Sequence, residues 1–371
     1  MKLLFVMGTR PEAIKLAPVI KEAREQGFFE VEICSTGQHR ELLDQVTDFF
    51  CIKKDYNLDL MMENQTLGGF ASRVISGLSE VYETSKPDCV VVQGDTTTAM
   101  AGALAAFHKK TKIAHVEAGL RSGEKFSPFP EEMNRSIISK IADFHFCPTE
   151  RNKQNLEKEN IRENVYVVGN TVIDALRQIS SAQKEPPVGV AKIDFSKKTV
   201  LITMHRRESF GEPIKEVFSA LHELSNRHAD IRFIFLLHPN PNIMESIFQY
   251  SKSNSTSPYD WSNFHLIYSL DYPSLVWVLR NCFAVMTDSG GLQEEAPFFR
   301  KPVLVMRNVT ERQEGIDAGV SLLVGQDYDR IVTAFESLLD YATYVKMSKQ
   351  VNLYGDGNAS SRIHEVLKKN I

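Results

Sequence analysis

KLLFVMGTRPEAIKLAPVIKEAREQ, residues 2–26, is the stretch that decides the fold. Leu3–Met7 is a continuous apolar run without polar alternation, which predicts a strand buried on both faces, as in a parallel sheet. Gly8 lets the chain turn tightly. Pro11 suits the first helical position, because its φ is already helical and its missing N–H is not needed there. Pro11–Glu25 then reads as an amphipathic helix, so the segment is a strand, a turn and a helix in succession.

Outward from this segment the rhythm repeats. Val31–Cys34, Cys89–Gln93, Ile113–Val116 and Tyr166–Val168 predict further buried strands, with Thr97–Lys109 a helix among them. Strand alternating with helix predicts a doubly wound α/β sheet. Periodicity fades between Gln178 and Lys198, where charge and two consecutive prolines predict a linker. It resumes with Val200–Met204, Arg232–Leu237, His265–Tyr268, Ala284–Thr287 and Pro302–Met306 as strands of a second domain. NASSRIHEVLKKN, residues 358–370, follows a Gly-Asp-Gly turn and predicts a last helix. A chain of 371 residues has room for about two domains at roughly 150 residues each. They are expected at 1–170 and 171–357, with 358–371 as the final helix. With one sheet per domain, the expected ligand site is a cleft at the carboxyl ends of the strands.

Composition excludes several classes. A net charge of −4 advertises neither a nucleic-acid partner nor a membrane surface. Cys34, Cys51, Cys89, Cys147 and Cys282 are scattered and never form a CxxC pair, so they read as reduced thiols, neither a disulfide frame nor a metal site. No apolar run approaches the ~20 residues of a membrane span, and the first is too short for a signal peptide. The expectation is a soluble, cytoplasmic protein.

The polar residues cluster at the predicted strand ends. GTRPEAIK (8–15) puts Arg10 and Lys15 beside a turn suited to anions, although a carbonyl cap and a solvated lysine explain the pair equally well. GDTTT (94–98) places Asp95 just past a strand. HVEAGLRS (115–122) places Glu117 likewise, with Arg121 close behind. PFPEEMNR (128–135) spaces Glu131 and Arg135 four apart on one helix face; as a lone surface pair it would matter little. Three carboxylates all at strand ends or turns are harder to dismiss. In the second domain MHRRES (204–209) offers His205, Arg206 and Arg207, and HPNP (238–241) offers His238. DSGGLQEEAP (288–297) is the most specific segment: Ser289, Gly290 and Gly291 end a strand and expose the amides of a helix, whose dipole favours a phosphate. Glu295, about a turn and a half on, could accept both hydroxyls of a ribose. TERQEG (310–315) puts Arg312 in a following loop. Together these describe a nucleoside diphosphate held mainly by the second domain, with Arg10 and Lys15 closing over it.

These motifs, with GNTVIDAL (169–176) and YGDGNASSRI (354–363), span nearly the whole chain and, in this order, resemble the non-hydrolysing UDP-N-acetylglucosamine 2-epimerases. The resemblance implies two Rossmann-like domains of glycosyltransferase-B type, a terminal helix that returns to the first domain, and a homodimer. It implies conversion of UDP-N-acetylglucosamine to UDP-N-acetylmannosamine for surface-polysaccharide synthesis. By motif position Asp95, Glu117 and Glu131 would act at the sugar, and His205 would be a further catalytic or UDP-contacting group. Arg10, His238, Ser289, Gly290, Gly291, Glu295 and Arg312 would hold UDP, with Lys15 and Arg135 also at the substrate.

Chemistry narrows the route. C2–H of the sugar has no adjacent carbonyl, so direct deprotonation is not available. Transient oxidation would need a dinucleotide, yet no GxGxxG follows any predicted strand. Elimination of UDP, with re-addition to a 2-acetamidoglucal, asks only for cations and amides at the departing diphosphate and acid/base groups on both faces of C2. Neither a cofactor nor a metal is expected. Which carboxylate removes the proton stays open.

The sequence departs from the family pattern at Arg300, where glycine is usual, at Gln313 and Leu353, where proline is usual, and at Leu275, where a phenylalanine is expected beside the uracil. Some relatives bind UDP-N-acetylglucosamine as an allosteric activator. Gln38 and Arg206 fall at that site, but Glu41 and Asn64 replace a glutamine and an arginine. Weak or absent substrate activation is expected, and a sigmoidal substrate response would contradict it. The alternatives are a hydrolysing 2-epimerase, a glycosyltransferase of the same fold, a nucleotide-sugar sensor, and an enzyme acting on a diacetamido-uronic sugar nucleotide.

Overall fold

The computed structural model describes residues 1–371 apart from 39, 63–64, 183–184, 205–210, 238–240, 255 and 269; for 40–42, 181–182, 212 and 241–243 the backbone alone is described. The chain forms two compact units. Met1–Gln178 with Tyr354–Ile371 make the first, and Ile179–Leu353 make the second.

In the first unit the order is β1 (Lys2–Met7), α1 (Arg10–Gln26), β2 (Glu30–Ser35), α2 (Arg40–Phe49), β3 (Tyr56–Asn57), α3 (Leu67–Ser85), β4 (Cys89–Gln93) and α4 (Thr97–His108). It continues with β5 (Lys112–Val116), α5 (Glu131–Ile141), β6 (Phe144–Cys147), α6 (Glu150–Lys158), β7 (Val165–Val167) and α7 (Thr171–Ala182). All pairings are parallel, in the order β3-β2-β1-β4-β5-β6-β7. The chain order reverses at the β1–β4 edge, the kind of switch point where open α/β sheets bind ligands. Val90–Val92 are fully buried, which explains their unalternating apolar pattern. Helix α4 packs close to β1 and β4 because its buried face is Ala99, Ala101, Ala103, Ala105 and Ala106.

The second unit runs β8 (Thr199–Thr203), α8 (Glu212–Arg227), β9 (Arg232–Leu237), α9 (Pro241–Asn254), β10 (Phe264–Tyr268), α10 (Tyr272–Asn281) and β11 (Ala284–Thr287). After α11 (Gly290–Phe298), β12 (Val303–Val305), α12 (Gln313–Asp317), β13 (Ser321–Leu323), α13 (Tyr328–Leu339) and α14 (Tyr341–Met347), the chain leaves this unit. Its sheet, β10-β9-β8-β11-β12-β13, is again all parallel. Phe218, Phe233, Phe235, Tyr250 and Phe335 fill its core, each side chain worth about 2 kcal/mol of burial. The expected linker begins later than its composition suggests, because α7 continues to Ala182 and Val188–Val190 form a 3-10 turn.

The last helix, α15 (Ala359–Asn370), belongs to the first unit and packs on α1. Its N-terminal amides are capped from another helix. Asp174 of α7 accepts hydrogen bonds from Ser360 N at 2.9 Å, Ser360 Oγ at 2.8 Å and Ala359 N at 3.3 Å. Arg362 grips Asp356 with two nitrogens, at 2.8 and 2.7 Å, and donates to the Val168 carbonyl at 2.9 Å. GNTVIDAL and YGDGNASSRI are thus the two halves of one structural joint. Among the described residues no helix is long and apolar enough to cross a membrane, and no His, Cys, Asp and Glu side chains form a metal-holding group.

Candidate active site

In the first unit the carboxylates of interest lie past neighbouring strand ends. Gln93 pairs in register with Val116, so Asp95 and Glu117 leave adjacent strands at the same edge of the sheet. Glu117 has φ +68°, a left-handed conformation costing a non-glycine residue ~1 kcal/mol. Two hydrogen bonds hold it there: Gly94 N donates to the Val116 carbonyl, and Ala118 N to the Phe146 carbonyl, both at 3.0 Å. Such strain persists only where the surroundings impose it.

Lys15 Nζ and Gln93 Nε2 each donate to one oxygen of Glu117. Lys15 is therefore a buried counter-ion of a carboxylate, 6 % exposed, and not the solvated helix residue that its spacing also allowed. Asp95 pairs with Arg135, whose other end donates to Glu132 at 3.1 Å. Asn134 Nδ2 donates to the Asp95 carbonyl at 2.9 Å, so α5 grips Asp95 by both backbone and side chain. Glu131 opens α5 and is half-buried. Its neighbour Glu132 accepts the amides of Ser122 and Gly123 at 3.0–3.1 Å, which fixes the loop leading into this helix.

Beneath this layer lies a residue the motif reading passed over. Glu12 is fully buried. One carboxylate oxygen accepts from Gly8 N at 2.9 Å, Thr9 N at 2.7 Å and Thr9 Oγ1 at 2.8 Å, and the other accepts from Thr96 Oγ1 at 2.7 Å. It ties the β1–α1 turn to the residue beside Asp95. Burial raises its pKa, and these hydrogen bonds oppose the rise. Two of the turn's amides are thereby committed to a carboxylate within the protein. The cations Arg10, half-buried at the start of α1, and Lys15 are what the turn adds electrostatically. Gly8 is required for close approach, since a Cβ there would lie 2.3 Å from Thr36 Oγ1 and 2.4 Å from Thr98 Oγ1. Thr98 Oγ1 also donates to Gln38 at 3.0 Å.

His115 supports the same edge. It is fully buried, and burial holds its pKa down at about 3, with nearby His145 and Arg121 adding to the effect. The neutral ring has Nε2 2.7 Å from the Gly94 carbonyl, so Nε2 carries the proton and donates. Arg121 itself forms a two-pronged pair with Glu159, at 2.6 and 3.0 Å.

In the second unit α11 starts at the end of β11. Ser289 is its N-cap, but the serine side chain makes no capping hydrogen bond, and this leaves the first-turn amides to other acceptors. A Cβ built on Gly291 would sit 3.7 Å from Glu295 Oε1 and 3.8 Å from Ser289 Oγ, so the glycine keeps the space between hydroxyl and carboxylate clear. Tyr272 donates to Glu295 Oε1 at 3.1 Å. Arg312 is buried against Gly290, where a Cβ would come within 2.9 Å of the guanidinium carbon. Its guanidinium pairs with Glu294, at 2.9 Å from both Nε and Nη2, and with Glu311, which also accepts from Arg307 at 2.9 Å. Thr310 Oγ1 donates to Gln293 at 2.6 Å, fastening the Arg312 loop to α11. Leu275, expected beside the base, is buried. His205, Arg206 and His238 lie outside the described residues, as does Asn64; the side chain of Glu41 does too.

Two parallel-sheet units, one with strand-end carboxylates and one with a helix start that Ser289 does not cap, define a two-unit α/β architecture. A family model described as UDP-N-acetylglucosamine 2-epimerase matches residues 21–368. The chain is 45% identical to the UDP-N-acetylglucosamine 2-epimerase of Escherichia coli K12, covering 100% of this chain and 99% of that one. It superposes with a TM-score of 0.93 on the UDP-GlcNAc 2-epimerase of Neisseria meningitidis bound to UDP-GlcNAc, which is 44% identical with 100% of each chain covered. The Methanocaldococcus jannaschii UDP-GlcNAc 2-epimerase in complex with UDP-GlcNAc and UDP gives a TM-score of 0.87 at 33% identity, again over 100% of both chains. The chain belongs to the UDP-N-acetylglucosamine 2-epimerase family.

Proposed function

We propose that this protein interconverts UDP-N-acetylglucosamine and UDP-N-acetylmannosamine without hydrolysis, by eliminating and re-adding UDP. The observation that carries the reading is the pair Asp95 and Glu117 at adjacent strand ends, each held by a buried cation. In the first half-reaction the C1–O bond to UDP breaks as a carboxylate takes the C2 proton. Electrons from C2–H form the C1–C2 double bond, and UDP leaves with the C1–O pair. In the second half UDP adds back to C1 of the 2-acetamidoglucal while a proton is delivered to the opposite face of C2. Two proton-transfer groups are then required, and Asp95, Glu117 and Glu131 supply the candidates. The cations beside the first two balance their charge and orient them.

The second unit's residues hold the nucleotide in this reading. Ser289 and the amides of Gly290 and Gly291 receive the diphosphate at the helix start, where the dipole favours the charge that grows as UDP departs. Glu295 accepts the ribose hydroxyls. Arg312, clamped by Glu294 and Glu311, fixes the loop that abuts Gly290. No redox step occurs, so a dinucleotide has no part in the route.

The test is turnover of UDP-N-acetylglucosamine in D2O followed by NMR. Deuterium at C2 of both epimers with UDP still attached is the expected result. Release of free N-acetylmannosamine and UDP would make the protein a hydrolysing enzyme, and epimerisation without C2 exchange would refute elimination. Asp95→Asn and Glu117→Gln should each abolish exchange while leaving UDP binding nearly intact.

A further inference from the structure

Among the buried polar side chains near α11, Tyr272 has no part in the chemistry above. It opens α10 directly after Asp271, whose side chain caps the helix by accepting from Ser274 N at 2.8 Å. The ring is 3% exposed and therefore rigidly placed. Its hydroxyl reaches across 23 residues of sequence to donate to Glu295 Oε1.

A glutamate needs such a partner. The last torsion of its side chain joins an sp³ to an sp² carbon and has no sharp minimum, so the carboxylate plane turns unless something outside the residue holds it. A carboxylate only accepts hydrogen bonds, and its two oxygens have about four lone-pair sites, so a phenol hydroxyl at one of them restrains the plane. Oε1 also lies 3.7 Å from where a Cβ on Gly291 would stand, beside the start of α11. We propose that Tyr272 sharpens discrimination for the ribose, by pinning the Glu295 carboxylate in the plane that receives the sugar's vicinal hydroxyls. The proposal rests on the reading that Glu295 binds ribose. It makes Tyr272 a positioning residue that does not itself touch the nucleotide.

The experiment measures calorimetric Kd values for UDP and 2′,3′-dideoxy-UDP with the wild type, Tyr272→Phe and Glu295→Gln. A site built to bond hydroxyls rejects the ligand that lacks them, so the wild type should prefer UDP by about a hundredfold. Glu295→Gln should collapse that preference. Tyr272→Phe should reduce it roughly tenfold while leaving the affinity for dideoxy-UDP unchanged, and that unchanged affinity doubles as the control for folding. If Glu295→Gln leaves the preference intact, the ribose reading itself fails. If Glu295→Gln collapses it and Tyr272→Phe does not, the role given to Tyr272 fails. Equal weakening of both ligands by Tyr272→Phe would make the tyrosine merely structural and overturn the proposal as well.

Discussion

Lowering the pH from 6.5 to 4.5 pushes protons toward two imidazoles that the first unit keeps neutral. His115 and His145 lie opposite each other on β5 and β6, and burial lowers their pKa values to about 3 and about 4. In the unfolded chain both return to about 6.5. A depressed folded pKa contributes stability that is present in full above pH 6.5 and is lost as the pH falls toward the folded value. The unfolded imidazole is only half protonated at pH 6.5, and the cost of a native form that refuses the proton approaches about 1.4 kcal/mol per pH unit only below that, so His115 alone removes about 2 kcal/mol between pH 6.5 and 4.5. The two together remove roughly 4 kcal/mol, comparable to the whole stability of a modest domain. The assay is urea unfolding at a series of pH values, followed by circular dichroism. Both tryptophans, Trp261 and Trp277, lie in the second unit, so their fluorescence follows the other transition separately. His115→Gln keeps a donor for the Gly94 carbonyl and cannot titrate. Its stability difference from the wild type should shift in the variant's favour by about 2 kcal/mol across this window. Parallel stability curves for the two proteins would refute the reasoning.

Two other outcomes follow from single side chains. Glu12→Ala strands the amides of Gly8 and Thr9 in a dry site, at about 1–3 kcal/mol for each, whereas Glu12→Gln keeps an acceptor and should stay within about 1 kcal/mol of wild type; equal loss of melting temperature in both would contradict this. Arg300 sits at φ +58° just past α11, with its amide bonded to the Pro297 carbonyl and that of Lys301 to Ala296, the Schellman arrangement in which glycine is favoured. Arg300→Gly should therefore stabilise the second unit by about 0.5–1 kcal/mol, read as a higher urea midpoint in tryptophan fluorescence, and a lower midpoint would refute it.

The sequence displays what burial writes into residue type and hides what geometry decides. Cys89–Gln93 and Ala284–Thr287 are strands with the limits their apolar runs suggest. Among the described residues, three strands have no such run. Tyr56–Asn57 spans two residues, Phe144–Cys147 is interrupted by His145, and Ser321–Leu323 opens on a serine. His145 belongs in its strand because the ring is kept neutral, which its letter does not convey. At the site, Asp95, Glu117 and Ser289 stand out because they follow strands. Glu12, Glu132 and Glu294 do not, since an acidic residue that accepts buried amides or guanidinium protons looks in sequence like one facing water. The pairing of Lys15 with Glu117 spans 102 residues and is settled only when α1 and β5 come together.

The cap that Asp174 places on α15 has a consequence for how the chain comes off the ribosome. Synthesis is vectorial, and domains that complete early generally fold early. Here the second unit ends at Leu353 while the first still lacks Tyr354–Ile371. The unit begun first is finished last. Until Ala359 and Ser360 emerge, Asp174 is a buried-to-be carboxylate without its amides, and the α1 surface that α15 covers stays open. Chains truncated after Leu353 and released should expose that surface to chaperones even with the later unit already folded.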